Sequence, residues 1–347
     1  MLTGKKIILF GAGIYGRRAL SFFSADKVHC FVDNYKAGQE FWGKPIISFE
    51  ELKKIKDDYD VVLSVTIALV PVLGEQCQKN SIDYSLLSDL MSYERFESDP
   101  DIKRFENRHM GERCFLIGNG PSLKAEDLTR LRDCSEVTFA CNAIKNIYFR
   151  TPWRPKYYTI TDPMFFGPSR ELLTDLEAEC LFIPALSDNY AACTAELMEL
   201  LAQSGREIYQ FRPITNMHLL EGPRFSPDAS RALFVSGTVM YTMIQLAVYM
   251  GFTDIYLLGV DGTASLPTNP DVYFAEKRHF YEEDDNVVTR FNNYIANTMS
   301  AEDVSILVAN AYRQAERYSK EHGIRIYNAT RGGVVDAFTR VNFDSLF

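Results

Sequence analysis

Two short apolar runs in this chain each pass straight into a glycine-rich turn and then a helix-like stretch. Ile7 to Phe10 leads into Gly11-Ala12-Gly13-Ile14-Tyr15-Gly16, and Cys114 to Ile117 leads into Gly118-Asn119-Gly120-Pro121-Ser122-Leu123. A strand that turns through glycines directly into a helix opens a parallel βαβ unit, because so tight a reversal leaves no room for Cβ atoms. Two such openings far apart in one chain predict an α/β protein built from two Rossmann-like domains. The length of 347 residues agrees, at ~150 residues per domain.

The alternation around each turn sets the boundaries. Lys6 to Phe10, Ile14 to Phe23, His29 to Val32 and Asp60 to Val65 form the first βα series. From Met91 to Arg113 the text becomes charged and turn-rich, which predicts a small domain over 1–92, a linker over 93–112 and a larger domain over 113–347. In the larger domain, candidate strands fall at 114–117, 137–140, 157–160, 181–184, 208–211, 255–258 and 324–327. The clearest helix is Gly237 to Met250, with Val239, Met243 and Ala247 on one face, Ser236 as its N-cap and Gly251 as its stop. Short apolar strands between such helices read as a doubly wound, mostly parallel sheet covered on both faces.

Composition removes several classes of function. With 37 basic against 46 acidic residues the net charge is −9, which disfavours nucleic acid as a partner. No apolar run approaches the ~20 residues of a membrane span, and Ile7 to Phe10 is too short for a secretion signal. Seven cysteines without a Cys-x-x-Cys pair argue against a disulfide framework or a zinc site and for reduced thiols in a cytoplasmic setting.

The chemistry gathers at strand ends. In the first domain Gly11, Gly13 and Gly16 would let a nucleotide diphosphate approach a helix N-terminus, with Asp33 accepting from a ribose; the alternative is that these glycines serve helix-on-strand packing. In the second, Gly118, Asn119, Gly120 and Ser122 form an anion-sized turn, with Ser122 able to cap the helix after it. That turn lacks the Gly-Lys-Ser/Thr ending of a P-loop. Asn142 and Asp162 end the next two strands on the same edge, where open α/β sheets bind ligands. Arg231, Ser236, Gly237 and Thr238 lie on a strand-free turn into a helix, Asp261 ends a further strand, and His279 follows in a polar-aromatic stretch suited to a base. His29, His109, His218 and His322 lack such a neighbourhood. Tyr273 and Lys277 have a dehydrogenase-like spacing but lie outside the first domain. Asp58-Tyr59-Asp60 and Asp99-Pro100-Asp101 read as structural, and Glu282 to Asp285 as a solvated acidic loop.

With FVDN, Gly38 and GKPII, residues 5–90 resemble the small nucleotide-binding domain of bacterial sugar acyltransferases, which implies a second nucleotide at the first domain. From Cys114 onward, IGNGPSL, CNAI, TDP, SGTVMYTMIQLAVYMGFTDIYLLGVD, HFY and GIRIYNAT resemble the bacterial lipooligosaccharide sialyltransferases and the flagellin motility-accessory glycosyltransferases, a DUF115, MptE-like Rossmann domain. The resemblance implies an inverting, metal-independent sugar transfer from a nucleotide-sugar, of the CMP-nonulosonate type, to a glycan or glycoconjugate hydroxyl in surface polysaccharide synthesis. It needs no further cofactor, and peripheral membrane association and a homo-oligomer are expected. Carried over, Asn119 and Ser122 hold the phosphate and ribose, Asn142 contacts nucleotide or sugar, and Ser236 with Gly237 lines the nucleotide pocket. His279 is the general base and Tyr273 assists the leaving phosphate. The chain departs from the sialyltransferase pattern at Gly262 and Thr263, where those enzymes place a tyrosine. The same glycine signature also resembles the archaeal-type hydroxymethylpterin pyrophosphokinases, which implies Mg²⁺ near Asp162 and Asp261. A nucleotide-binding scaffold without turnover is a third expectation.

Overall fold

A computed structural model describes residues 2–161, 176–185, 206–216, 223–262, 279–280 and 301–347. The chain forms two compact units, Met1–Ser92 and Tyr93–Phe347.

In the first unit β1 (Ile7–Phe10), α1 (Ile14–Phe23), β2 (Val28–Val32), β3 (Glu40–Phe41), β4 (Lys44–Ile47), α2 (Phe49–Ile55), β5 (Asp60–Leu63), α3 (Val70–Lys79), β6 (Tyr84–Leu86) and α4 (Leu87–Leu90) follow in order. The sheet runs β3-β4-β2-β1-β5-β6, parallel except for the β3–β4 hairpin. Every residue of β1 and β5 is buried, as expected for strands covered on both faces. Helix α2 starts on a capping box, Ser48 with Glu51, that satisfies backbone donors at its first turn. The chain leaves β1 to one side for β2 and returns to the other side for β5, so the turn after β1 stands at the sheet's topological switch point.

The second unit starts at Tyr93 and includes the segment read as a linker, 93–112. Its charged text hides three inward residues, Ile102, Phe105 and His109, all buried. Asp99 caps α5 (Pro100–Lys103), and Phe105 packs edge-on against Tyr157, Phe182 and Tyr209. His109 stacks on Phe252, with Nδ1 2.9 Å from Glu112 and Nε2 2.8 Å from the Tyr157 hydroxyl.

The unit then runs through β7 (Arg113–Ile117), α6 (Ala125–Asp133), β8 (Val137–Cys141), β9 (Tyr157–Thr159), β10 (Cys180–Pro184), β11 (Glu207–Phe211), β12 (Pro213–Thr215), β13 (Leu233–Val235), α7 (Val239–Tyr249), β14 (Asp254–Leu258), α8 (Ala301–Glu321), β15 (Arg325–Asn328) and β16 (Thr339–Arg340). The main sheet is parallel throughout, in the order β11-β10-β9-β8-β7-β14-β15-β16. Its core joins Phe115, Ile117, Ala140, Leu181 and Leu258 to Leu128 and Leu131 of α6. Here the switch point lies between β7 and β14, which places the turn of residues 118–123 where a doubly wound sheet opens.

Two local expectations change. The turn before residue 236 is not strand-free, because β13 precedes it and pairs in parallel with β12. Helix α7 is capped by Thr238, whose hydroxyl accepts from the Met240 N–H at 3.3 Å. Ser236 instead lies inside, 0% exposed, accepting from the Asn216 amide at 2.8 Å. Gly251, at φ 88°, follows the helix end as expected.

Candidate functional site

The turn after β7 is fastened to the turn after β14. Gly118 N–H donates to the Leu258 carbonyl and Gly120 N–H to the Gly259 carbonyl, both at 2.8 Å. The Asp261 carboxylate then accepts from the Ser122 hydroxyl at 2.8 Å and from its N–H at 3.4 Å. Position 120 demands glycine, because a Cβ there would overlap the Asp261 carboxylate. Ser122 therefore does not cap the next helix; α6 starts at Ala125 with Lys124 in the cap position.

A third turn, after β15, closes on the same point. Asp261 O accepts from Val334 N–H at 2.7 Å, Thr330 Oγ1 from Val260 N–H at 3.0 Å, and the buried Asn328 bonds Thr330 N–H and the Val335 carbonyl. Arg331 anchors this turn from outside. It grips Asp127 of α6 through two bonds of 2.7 Å and Asp344 through two more, of 2.7 and 2.8 Å. These partners raise its pKa further and hold the Asp344 carboxyl below its ordinary value. Thr330 and Arg331 are residues that sequence reasoning passed over. The closing NATRG carries the signal, a polar run directly after a strand.

On the β8 side the arrangement differs. Asn119 is 7% exposed; its Nδ2 donates to the Cys141 carbonyl at 3.0 Å, while its Oδ1 is buried without a hydrogen-bond partner among the described residues. Asn142, at φ 47°, has a second buried Oδ1 without a hydrogen-bond partner among the described residues, and its own carbonyl accepts from the Tyr158 hydroxyl at 2.9 Å. Burial pushes the thiol of the neighbouring Cys141 up to about 12, which disfavours its thiolate.

Phe280 N–H donates to the Asn119 carbonyl at 3.0 Å, and its ring packs against the core of the main sheet. This bond brings the half-buried His279 to the glycine turn. Tyr312 of α8, also missed in the sequence, is buried with its hydroxyl 3.4 Å from Thr238 Oγ1, and burial pushes it up to about 12. Gly237 lies under Val304 and Val308 of α8. Arg231 is engaged elsewhere, with Asp228 and the carbonyls of Glu94 and Phe96. Tyr273, Asp162, Lys277, His218 and Glu282 to Asp285 lie outside the described residues. Among the described residues, no cluster of three His, Cys, Asp or Glu side chains could hold a metal ion.

The first unit repeats the switch-point plan more simply. A Cβ at Gly11 would meet the Ser64 carbonyl at 2.7 Å and one at Gly16 would overlap the Gly11 carbonyl, so neither position has room for a side chain, whereas Gly13 faces open space. Asp33 accepts from Ala12 N–H at 3.1 Å and Tyr35 N–H at 3.0 Å, and Lys36 Nζ reaches the Ala12 carbonyl at 2.7 Å.

Residues 88–265, more than half of the chain, match the family described as 6-hydroxymethylpterin diphosphokinase MptE-like. The chain belongs to the MptE-like family. No curated protein matches it. Among solved structures, the MptE-like chain is similar to a MAf glycosyltransferase from Magnetospirillum magneticum AMB-1, at 14% identity and a TM-score of 0.42 over 99% of this chain; it spans 58% of that protein's length. It is also similar to perosamine N-acetyltransferase from Caulobacter crescentus, at 9% identity and a TM-score of 0.20, over 53% of this chain and 68% of that one. Among the described residues of this MptE-like chain, no helix is long and apolar enough to cross a membrane.

Proposed function

We propose that this chain is a glycosyltransferase that moves a sugar from a nucleotide-sugar, of the CMP-nonulosonate type, to a hydroxyl of a glycan or glycoconjugate. The observation that carries the reading is the bond from Phe280 N–H to the Asn119 carbonyl, which ties the backbone next to His279 to the turn after β7. The sequence resemblance from Cys114 onward supports the same chemistry. His279 takes the proton of the acceptor hydroxyl as that oxygen bonds to the anomeric carbon. The bond from carbon to the nucleotide phosphate breaks, and its electron pair leaves on the phosphate oxygen. Since the nucleotide is already a good leaving group, positioning and one base suffice. Surface-glycan assembly, with the first unit holding a second nucleotide, belongs to this reading.

The MptE-like family description favours a second reading, pyrophosphoryl transfer to a hydroxymethylpterin. It calls for Mg²⁺ beside Asp162 and Asp261. Asp261 Oδ2 accepts from Ser122, and Asp162 lies outside the described residues.

A donor screen separates the two. The full chain is incubated with CMP-sugars, with other nucleotide-sugars, and with ATP plus 6-hydroxymethylpterin, each with and without EDTA. Release of CMP that needs an acceptor, persists in EDTA and disappears in His279→Ala with nucleotide binding retained is the expected result. AMP release that needs the pterin and stops in EDTA replaces it with the second reading.

A further inference from the structure

The turns after β7, β14 and β15 close into a ring. From the glycine turn of residues 118–123 the chain passes into α6, where Arg331 takes hold of the buried Asp127 carboxylate. Arg331 belongs to the turn after β15, whose next two residues lie against Asp261. A Cβ on Gly333 would overlap the Asp261 backbone, and one on Gly332 would stand 3.7 Å from Asp261 Oδ1 and 3.8 Å from Ser122 Cβ. Asp261 Oδ2 accepts from the Ser122 hydroxyl, which leads back into the glycine turn.

The link between α6 and the turn after β15 is thus an ion pair, and it is held in one orientation. The planar guanidinium makes two bonds to Asp127 and two to Asp344 of the last helical turn (Phe343–Leu346), and it lies 5.5 Å from the centroid of the Phe343 ring. Paired bonds of this kind fix direction as well as distance. From the other side Arg340 holds the carbonyls of Thr330, Gly332 and Gly333. The ring carries one further group: the Asn119 carbonyl, within the glycine turn, accepts from the N–H of Phe280, the residue after His279.

We infer that Arg331 is a positioning residue for the base. Its bonds go to carboxylates of the protein, so it acts through others: it locks the ring, the ring holds the Asn119 carbonyl, and that carbonyl holds the backbone next to His279. The coupling stands on geometry alone, whereas its part in a reaction rests on the glycosyltransferase reading above.

The test uses the full chain and two variants. A buried Asp127 left unpaired would be destabilising in itself, so one variant is Arg331→Lys and the other combines Arg331→Gln with Asp127→Asn, which removes both charges together. Hydrogen–deuterium exchange of peptides containing Phe280, read by mass spectrometry without substrate, reports the coupling directly. Exchange at Phe280 is expected to be about tenfold faster in the double variant, with peptides of β8 and β1 unchanged. Arg331→Lys should fall between, since a point charge cannot hold both carboxylates. With a CMP-sugar and acceptor, kcat should fall about tenfold in the double variant while the donor KM moves less than about threefold, because a base is felt in the transition state and not in donor binding. Arg331→Lys should recover part of the rate. Equal exchange at Phe280 in all three proteins overturns the coupling. A donor KM that rises with kcat unchanged, or faster exchange with kcat unchanged, overturns the positioning role. Faster exchange at Phe280 in a chain that releases nucleotide from no donor sustains the lock and overturns the glycosyltransferase reading instead.

Discussion

At the scale of single residues, the two glycine motifs look alike in sequence and have different surroundings. Gly120 is held against Asp261, so Gly120→Ala must push the two turns apart. Overpacking of this kind costs about 1–3 kcal/mol, and a lower urea midpoint with an unchanged slope would show it. In the first unit Gly13 has open space before its Cα and an ordinary extended backbone, at φ −126°. Gly13→Leu should therefore change stability by less than ~0.5 kcal/mol, while removing any thermal stabilisation that a nucleotide gives through this turn. A stabilisation that survives in Gly13→Leu would mean the nucleotide binds elsewhere. Spacing alone does not separate the two cases, since the distinction depends on which carboxylate returns to the turn from far along the chain.

At the scale of elements, strands and helices that carry their own periodicity were legible: β7, β8, β10, β14 and the body of α7 all stand within a residue or two of their expected places. Elements defined by a partner were not. The three-residue strands β12 and β13 exist because each pairs with the other and because Gln245 of α7, 0% exposed, braces them. Its Oε1 accepts from Phe234 N–H and Ser226 N–H, both at 3.0 Å, and its Nε2 donates to the Phe234 carbonyl at 2.8 Å. In sequence Gln245 is one of two small polar interruptions, with Thr242, in an apolar helix, with nothing to tell that it braces a strand. Gln245→Leu fills the space but takes the acceptor from the Phe234 and Ser226 N–H groups, at about 1–3 kcal/mol each, so a loss of at least ~2 kcal/mol is expected in chemical denaturation. The candidate site divides the same way. The strand ends at Asn119, Asn142 and Asp261 were readable because a doubly wound sheet gathers them on one edge. The bond of Ser122 to Asp261 was not, because it joins positions 139 residues apart. The bonds of Arg231 were hidden for a similar reason, as its partners Glu94 and Phe96 belong to the segment read as a linker.

At the scale of the whole molecule, the second unit carries a set of phenols that burial makes hard to ionise. Tyr249 and Tyr312 are pushed up to about 12, and Tyr148, Tyr157 and Tyr241 are raised by the same cause. In the unfolded chain these groups ionise near 10. Because the folded values lie above the unfolded ones, the unfolded state releases protons first as pH rises. The stability these groups contribute is full below about 10 and is lost toward 12 and beyond. The chain's net charge of −9 grows more negative over the same range, and self-repulsion would also favour unfolding. Salt separates the two causes, since it screens repulsion between surface charges and leaves a desolvated phenol nearly untouched. Tyrosinate absorbance and circular dichroism should therefore change together in one alkaline transition that 0.5 M salt (on the order of a 4–5 Å screening length) moves little. Tyr312→Phe, which keeps the ring and removes the acid, should shift that transition to higher pH; a transition abolished by salt and unmoved in Tyr312→Phe would assign alkaline unfolding to the surface charge instead.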